Sequence, residues 1–342
     1  MTDTSTMVMS TSPHIRTKMT TPVVMWTVVV ALIPAAVWAV YMFGISSLIV
    51  IGVSIAAAVL TEMIITMLLK KPLTLRDGSA FLTGLLVGFN MPAAVSGTFP
   101  LYVAIFASVF AIAVAKYAFG GLGQNWMNPA LAGRIFVFFA WLSPMTSNWM
   151  PAAGKVIKTV STASADAASY ATPLKALKFG GSAIPTNLDL FLGKVGGCIG
   201  EVSAAALLLG GLILLIRKII NWEIPFFFIG SAALFGWIFG GLNIYGKEAA
   251  FFAGDPLFHI LSGGVMLGAI FMATDWVTNP MTFKGRVLFA IGCGALTILI
   301  RLTGRNVEGV SFAIVLMNIT VPLIDRVFKP RRFGFNKKRV KA

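Results

Sequence analysis

Apolar runs long enough to cross a lipid bilayer alternate with short polar connections along most of the chain. A hydrocarbon core of about 30 Å takes about 20 helical residues. Runs at 23–43, 46–69, 79–95, 100–118, 129–145, 195–216, 226–242, 260–274, 286–302 and 308–325 predict ten helical spans. Two are short and interrupted. Gly84 and Gly88 fall inside 79–95, which Asn90-Met91-Pro92 ends. Gly263, Gly264 and Gly268 fall inside 260–274, which Asn279-Pro280 follows. The one long hydrophilic stretch, 146–193, is rich in Ser, Ala, Thr, Lys and Gly. Loops of that length without periodicity are either functional or disordered.

The pattern predicts an all-α polytopic membrane protein of about ten transmembrane helices with one long extracytoplasmic loop. It divides the chain into a cytoplasmic tail at 1–22, a first transmembrane half at 23–145, the loop at 146–193, a second half at 194–325 and a basic tail at 326–342. The halves echo each other faintly. Gly84-Leu85-Leu86 precedes Gly123-Gln124-Asn125, and Gly268-Ala269-Ile270 precedes Gly304-Arg305-Asn306, at similar intervals. Five spans per half would invert the second half relative to the first, a transporter architecture with sites near the pseudo-two-fold axis.

Composition agrees: 57% of the residues are hydrophobic and 11% charged, whereas soluble domains carry about 25% charge. The net charge of +15 is explained by topology and anionic lipid, and no nucleic-acid partner is expected. With the N-terminus in the cytoplasm, 19 of the 27 Lys and Arg lie on that side. The opposite side keeps Lys155, Lys158, Lys175, Lys178, Lys194, Lys247, Arg301 and Arg305. Both termini are then cytoplasmic, which an even number of spans requires. The polar first 20 residues lack an apolar core, so no cleavable signal peptide is expected.

Two cysteines, Cys198 and Cys293, lie in apolar segments without metal spacing. An iron–sulfur cluster held by this chain alone is not expected, because such clusters usually need four thiolates. His14 and His259 lie outside the span centres, so bis-histidine haem ligation is not available.

The outer loop contains Asp166-Ala167-Ala168-Ser169-Tyr170-Ala171-Thr172-Pro173-Leu174. By residue type it is a small-residue linker with a turn at Pro173. The residue before a proline is biased towards extended backbone, which would present the Thr172 hydroxyl on an open strand. This stretch resembles the flavinylation motif of the D subunit of the Rnf-type ion-pumping ferredoxin:NAD oxidoreductase, and of the B subunit of the sodium-pumping NADH:quinone reductase. Asp166 matches the leading acid, Ser169 and Ala171 the inner motif residues, and Thr172 the acceptor. Tyr170 stands where the motif commonly has Gly. The resemblance extends along the chain, through Ser12-Pro13-His14-Ile15-Arg16, Asp77-Gly78-Ser79-Ala80, Asn128-Pro129-Ala130, Met272-Ala273-Thr274-Asp275 and Glu308-Gly309-Val310-Ser311.

The resemblance implies FMN esterified through its phosphate to Thr172, and a non-covalent riboflavin on the cytoplasmic side, with Asn125 and Asn128 at its isoalloxazine edge. It implies a subunit that relays electrons between ferredoxin and NAD(H), coupled to Na+ or H+ translocation, and that is not catalytically complete alone. Its partners would be the other Rnf subunits, including a second flavinylated subunit and iron–sulfur subunits, and a flavin transferase. Its place would be the bacterial or archaeal inner membrane. Read alone, the Gly-rich stretch 120–125 lacks the Lys-Ser/Thr ending of a P-loop and fits either a helix-breaking turn or a flavin contact.

Acids inside apolar runs are costly and are functional candidates. Glu62 lies in the second span, Glu201 early in the sixth and Asp275 at the end of the eighth. For Glu62 and Glu201 an ion-path role and a helix-contact role both stay open. For Asp275 a solvated cap is the alternative. A second class of function is a stand-alone inverted-repeat transporter or channel for a small solute, which would have no need of the 166–174 motif. The charge distribution makes the topology testable. A cysteine introduced at Ser164 is expected to react with an impermeant thiol reagent in intact cells. Labelling confined to inverted vesicles would reverse the orientation.

Overall fold

Proline, glycine and capping side chains decide where the apolar runs become helices. The computed structural model describes residues 19–92, 99–146, 172–179, 185–201, 203–241, 251–304 and 308–330. The readings at Ser12–Arg16, Asp166, Ser169 and Tyr170 lie outside them.

Helix α1 spans Thr21–Phe43 and opens with Pro22 in its first turn; Gly44, at φ 75°, separates it from α2, Ile45–Leu68. Helix α3 spans only Ser79–Phe89, short of the expected 79–95. Helix α4, Leu101–Phe110, continues as a π-helical segment, Ala111–Tyr117. Helix α5 covers Pro129–Ala140, and a break at Trp141 separates it from α6, Leu142–Thr146. The hydrophilic stretch contains α7, Pro173–Phe179, and α8, Asn187–Leu192. Both are anchored, since Leu174 and Leu190 pack with Phe258 in a small apolar cluster.

The sixth apolar run departs most from expectation. Helix α9 starts only at Ala204 and ends at Ile216, with the Ser203 hydroxyl capping the amide of Ala206 at 3.2 Å. The preceding residues pair with the end of α3 instead: Ile199 N–H donates to Met91 O (3.0 Å) and Gly200 N–H to Phe89 O (2.9 Å). Glu201 therefore lies in irregular backbone, not in a helix. Such backbone is tolerated at membrane depth only where protein surrounds it, and Met91, Cys198 and Ile199 are all buried. Helix α10 is Glu223–Phe239. The eighth run is broken as its glycines predict, into α11, Pro256–Leu261, and α12, Val265–Leu267, which continues as a second π-helical segment, Gly268–Met272. Helices α13, Phe283–Thr303, and α14, Val310–Val327, complete the described chain.

Among the described residues four helices, α1, α2, α13 and α14, are long and apolar enough to span a bilayer, and α3, α4 with its π-helical extension, α5, α9 and α10 are shorter apolar helices. The outward faces are apolar too: Val37, Tyr41, Ile45, Leu68, Ile216 and Leu323 are exposed. A water-facing protein avoids large continuous apolar patches, so this is a multi-pass, all-helical membrane protein.

Without a hydrophobic drive between helices in lipid, close packing through small residues holds them together. A Cβ at Gly84 of α3 would lie 2.6 Å from the Ile55 Cα of α2, and one at Gly210 of α9 would collide with the Ala31 carbonyl of α1. Gly84→Ala is expected to lower the thermal midpoint of the detergent-solubilised protein by the equivalent of about 1–3 kcal/mol. Gly52→Ala on α2, where an added Cβ meets nothing within 4 Å, should be neutral or mildly stabilising. Equal effects at the two positions would show that α2 and α3 do not pack as described.

Candidate functional site

Among the described residues, two polar centres hold the side chains that the sequence singles out. The first lines a cavity of about 360 Å³ where the starts of α1, α3 and α5 meet the ends of the α4 extension and α9 and the segment 274–277. Its walls are mostly apolar, among them Val24, Val28, Leu82, Leu86 and Phe271, with Ser79, Lys116, Asn125 and Asp275 as polar points. That volume and lining are typical of a site for a ring-bearing small molecule.

Local sequence explains how these groups are placed. Gly120, Gly121 and Gly123 have φ of 124°, 112° and 87°, a conformation that only glycine adopts cheaply. The Gly-rich stretch is thus a turn that delivers Asn125 to the cavity. Asn128 caps α5, its Oδ1 accepting from Ala130 N–H (3.0 Å) and Leu131 N–H (3.4 Å), with Pro129 at the first helical position. Its amide nitrogen donates to Met272 O at 3.1 Å. The Asn128 side chain is therefore largely engaged in structure, with one amide N–H left for a ligand, and it lines the cavity beside Asn125.

Asn125 Nδ2 donates to Met127 O (3.2 Å) and Asp275 Oδ2 (3.3 Å). Asp275 also accepts from the Thr278 hydroxyl (3.2 Å) and Val277 N–H (3.5 Å). Burial pushes the Asp275 carboxyl up, while these donors pull it back down. With its amide turned to satisfy both neighbours, Asn318 of α14 accepts from Asn128 N–H (3.2 Å) and donates to Thr278 O (3.1 Å). Trp276 Nε1 donates to Ile219 O at 2.7 Å and fixes the rim.

Lys116 reaches the cavity wall from the π-helical extension of α4, a helix irregularity frequent at functional sites. Its ammonium donates to Glu62 Oε2 (2.6 Å) and Ser79 Oγ (2.7 Å). Glu62 Oε1 accepts from the Thr74 hydroxyl (2.8 Å) and Tyr117 hydroxyl (3.1 Å). The Glu62 carboxylate is thus neutralised inside the bundle without a transient cation.

The second centre is built on Arg134 of α5, which is buried. Nη1 donates to Asn90 Oδ1 (2.7 Å) and Glu201 Oε1 (3.1 Å), and Nη2 to Cys198 Sγ (3.4 Å) and to Glu308 Oε2. Cys198, Glu201 and Glu308 bring three groups of metal-ligating type, one thiol and two carboxyls, within 4.8 Å of one another. Arg134 donates to all three, so the arrangement is a guanidinium cluster. Against it lies a space of about 20 Å³ lined by Thr172, Gly196, Gly197, Glu201, Gly263 and Glu308, room for about one water.

Thr172 is buried beside that space at the start of α7, with the Lys175 N–H donating to its hydroxyl at 3.4 Å. This differs from the open strand expected before Pro173, because Leu174 pulls α7 onto the bundle. Lys178 ties α7 to the end of α13, donating to Arg301 O (2.8 Å), Leu302 O (3.3 Å) and Gly304 O.

The structure brings Asn125 and Asp275 together at the cavity and sets Glu201 near Thr172. It does not join Glu62 to Glu201, which belong to separate centres. Sequence reasoning missed Lys116, Arg134, Asn90 and Asn318. Lys116 and Arg134 were detectable as cations inside apolar runs, which are as costly there as acids.

The chain matches the NQR2, RnfD, RnfE family over residues 8–334. It is 45% identical to the D subunit of the Na(+)-translocating ferredoxin:NAD(+) oxidoreductase complex of Acetobacterium woodii, covering 96% of this chain and 95% of that one. It is also 45% identical to the D subunit of the proton-translocating ferredoxin:NAD(+) oxidoreductase complex of Clostridium ljungdahlii, covering 95% of each. Against the D subunit of the ion-translocating oxidoreductase complex of Stutzerimonas stutzeri the identity is 39%, over 92% of each chain.

Removing one member of a buried ion pair strands the other, at about 3–5 kcal/mol. Glu62→Gln and Lys116→Met are each expected to lower thermal stability strongly in detergent. The double variant should lose clearly less than the sum of the two. Additive losses would show that the charges are not paired.

Proposed function

The chain belongs to the NQR2, RnfD, RnfE family, and from that membership and its two polar centres we propose that it relays electrons through flavin within an ion-translocating ferredoxin:NAD oxidoreductase. It acts as the D subunit of that complex and is not a complete enzyme alone. The near-full-length similarity to D subunits carries the reading, and the cavity at Asn125 supports it. Equal identity to a sodium-translocating and a proton-translocating relative assigns neither ion.

The cavity fits a non-covalent riboflavin, with apolar walls for the ring and Asn125 for its polar edge. FMN on Thr172 supplies one- and two-electron redox chemistry when bound. The hydroxyl suits a phosphoester, but the adjoining space of about 20 Å³ holds no ring, so the isoalloxazine lies beyond it. Since Thr172 is covered when α7 is docked, the transferase acts before Leu174 settles against Leu190 and Phe258. Lys175 and Lys178 then stand close in sequence to the phosphate.

In the same reading the apolar segments make ten crossings in two inverted halves, with both termini cytoplasmic and 146–193 outside. Each half contains shortened or broken helices, α3 and α11–α12 among them, and, among the described residues, one π-helical segment. Glu62 and Glu201 serve ion movement through their partners Lys116 and Arg134, and Asp275 through the cavity. The other Rnf subunits, one of them flavinylated and others carrying iron–sulfur clusters, are the partners, in an inner membrane.

Denaturing gels test the covalent site. The wild-type chain should show flavin fluorescence that survives denaturation, Thr172→Ala should lose it while still inserting in the membrane, and Thr172→Ser should keep part of it. Undiminished fluorescence in Thr172→Ala would overturn the assignment.

A further inference from the structure

A side-chain amide can present either its oxygen or its nitrogen to a ligand, and its neighbours decide which. At Asn125 both neighbours of Nδ2 are acceptors only: the Met127 carbonyl at 3.2 Å and the Asp275 carboxylate at 3.3 Å. Among the described residues nothing donates to its Oδ1. The amide is thus locked with nitrogen to the wall, and the oxygen is what it offers the cavity. Met127 is two residues away and is present in any orientation of this turn. Asp275 comes from the far half of the chain.

Asp275 is itself fixed, by Thr278 Oγ1 (3.2 Å) and Val277 N–H (3.5 Å), and the Thr278 carbonyl accepts from Asn318 of α14 (3.1 Å). The carboxylate therefore sits on a clamped segment and cannot follow the amide if the amide rotates. We infer that Asp275 is a positioning residue, which holds Asn125 as a hydrogen-bond acceptor and so makes the cavity select a heterocycle that presents a ring N–H donor. The inference rests on the reading of the cavity as a flavin site, where that donor is the imide N3–H. Lys116, also on the wall, has its ammonium turned to Glu62 and Ser79, and does not compete for this edge.

Asp275→Asn keeps the size but supplies an amide that can donate to Asn125 Oδ1. Asn125 is then free to turn its nitrogen towards the ligand, and preference for the imide donor disappears. The full-length chain in detergent would be titrated with riboflavin and with N3-methylriboflavin, which lacks that donor, following flavin fluorescence. For the wild type, the methylated analogue should bind about 10- to 100-fold more weakly, the effect of leaving a buried acceptor unpaired. In Asp275→Asn the ratio should collapse to within about threefold. If both ligands weaken together and the ratio is kept, Asp275 is merely structural and the inference fails while the flavin site stands. If the wild type binds neither ligand, the flavin reading of the cavity fails and takes the inference with it.

Discussion

A single buried guanidinium sets the terms for one half of the molecule. Arg134 draws together the end of α3 through Asn90, the approach to α9 through Cys198 and Glu201, and the approach to α14 through Glu308. An unpaired cation at that depth would cost several kcal/mol, so each of these segments is constrained to bring an acceptor. This explains why apolar sequence at 195–201 is not helical. Continuing α9 backwards would carry Glu201 and Cys198 away from Arg134 and leave the Phe89 and Met91 carbonyls without the donors they now have.

Both centres sit where regular helix fails. The π-helical segment 111–117 carries Lys116, and the π-helical segment 268–272 places Phe271 on the cavity wall just before Asp275. In lipid every backbone group must find a partner within the protein, so each interruption has to be enclosed by neighbours. The enclosure creates a polar niche, and its cost is borne by the apolar packing around it. Glycines allow that packing, because α3 can lie against α2 with backbone nearly touching backbone.

Much of this was legible in the sequence. All ten apolar runs contain helix, the broken eighth run was marked by Gly263 and Gly264, Asp275 stands out as an acid at the end of an apolar run, and Asn125 came through the family resemblance. What failed did so for physical reasons. Hydropathy registers 195–203 as apolar and is blind to long-range pairing with Phe89 and Met91. The Pro173 argument for an open strand at Thr172 used backbone preference alone, and the burial of Leu174 overrode it. Charge counting assigned Lys116 and Arg134 to a membrane side, when each is a buried counter-ion of an acid distant in sequence.

The two centres are distinct but connected. Asn90, which accepts from Arg134, directs its Nδ2 to the Leu86 carbonyl (2.6 Å) and towards Met272 Sδ (3.8 Å). Asn128 donates to the backbone carbonyl of that same Met272, and Leu86 lines the cavity. Arg134, Asn90, Met272 and Asn128 thus form one line of contacts from the Thr172 side to the cavity. Close packing along this line makes the two centres parts of one rigid frame, with Asn90 and Asn128 meeting the same methionine from opposite sides of the contact.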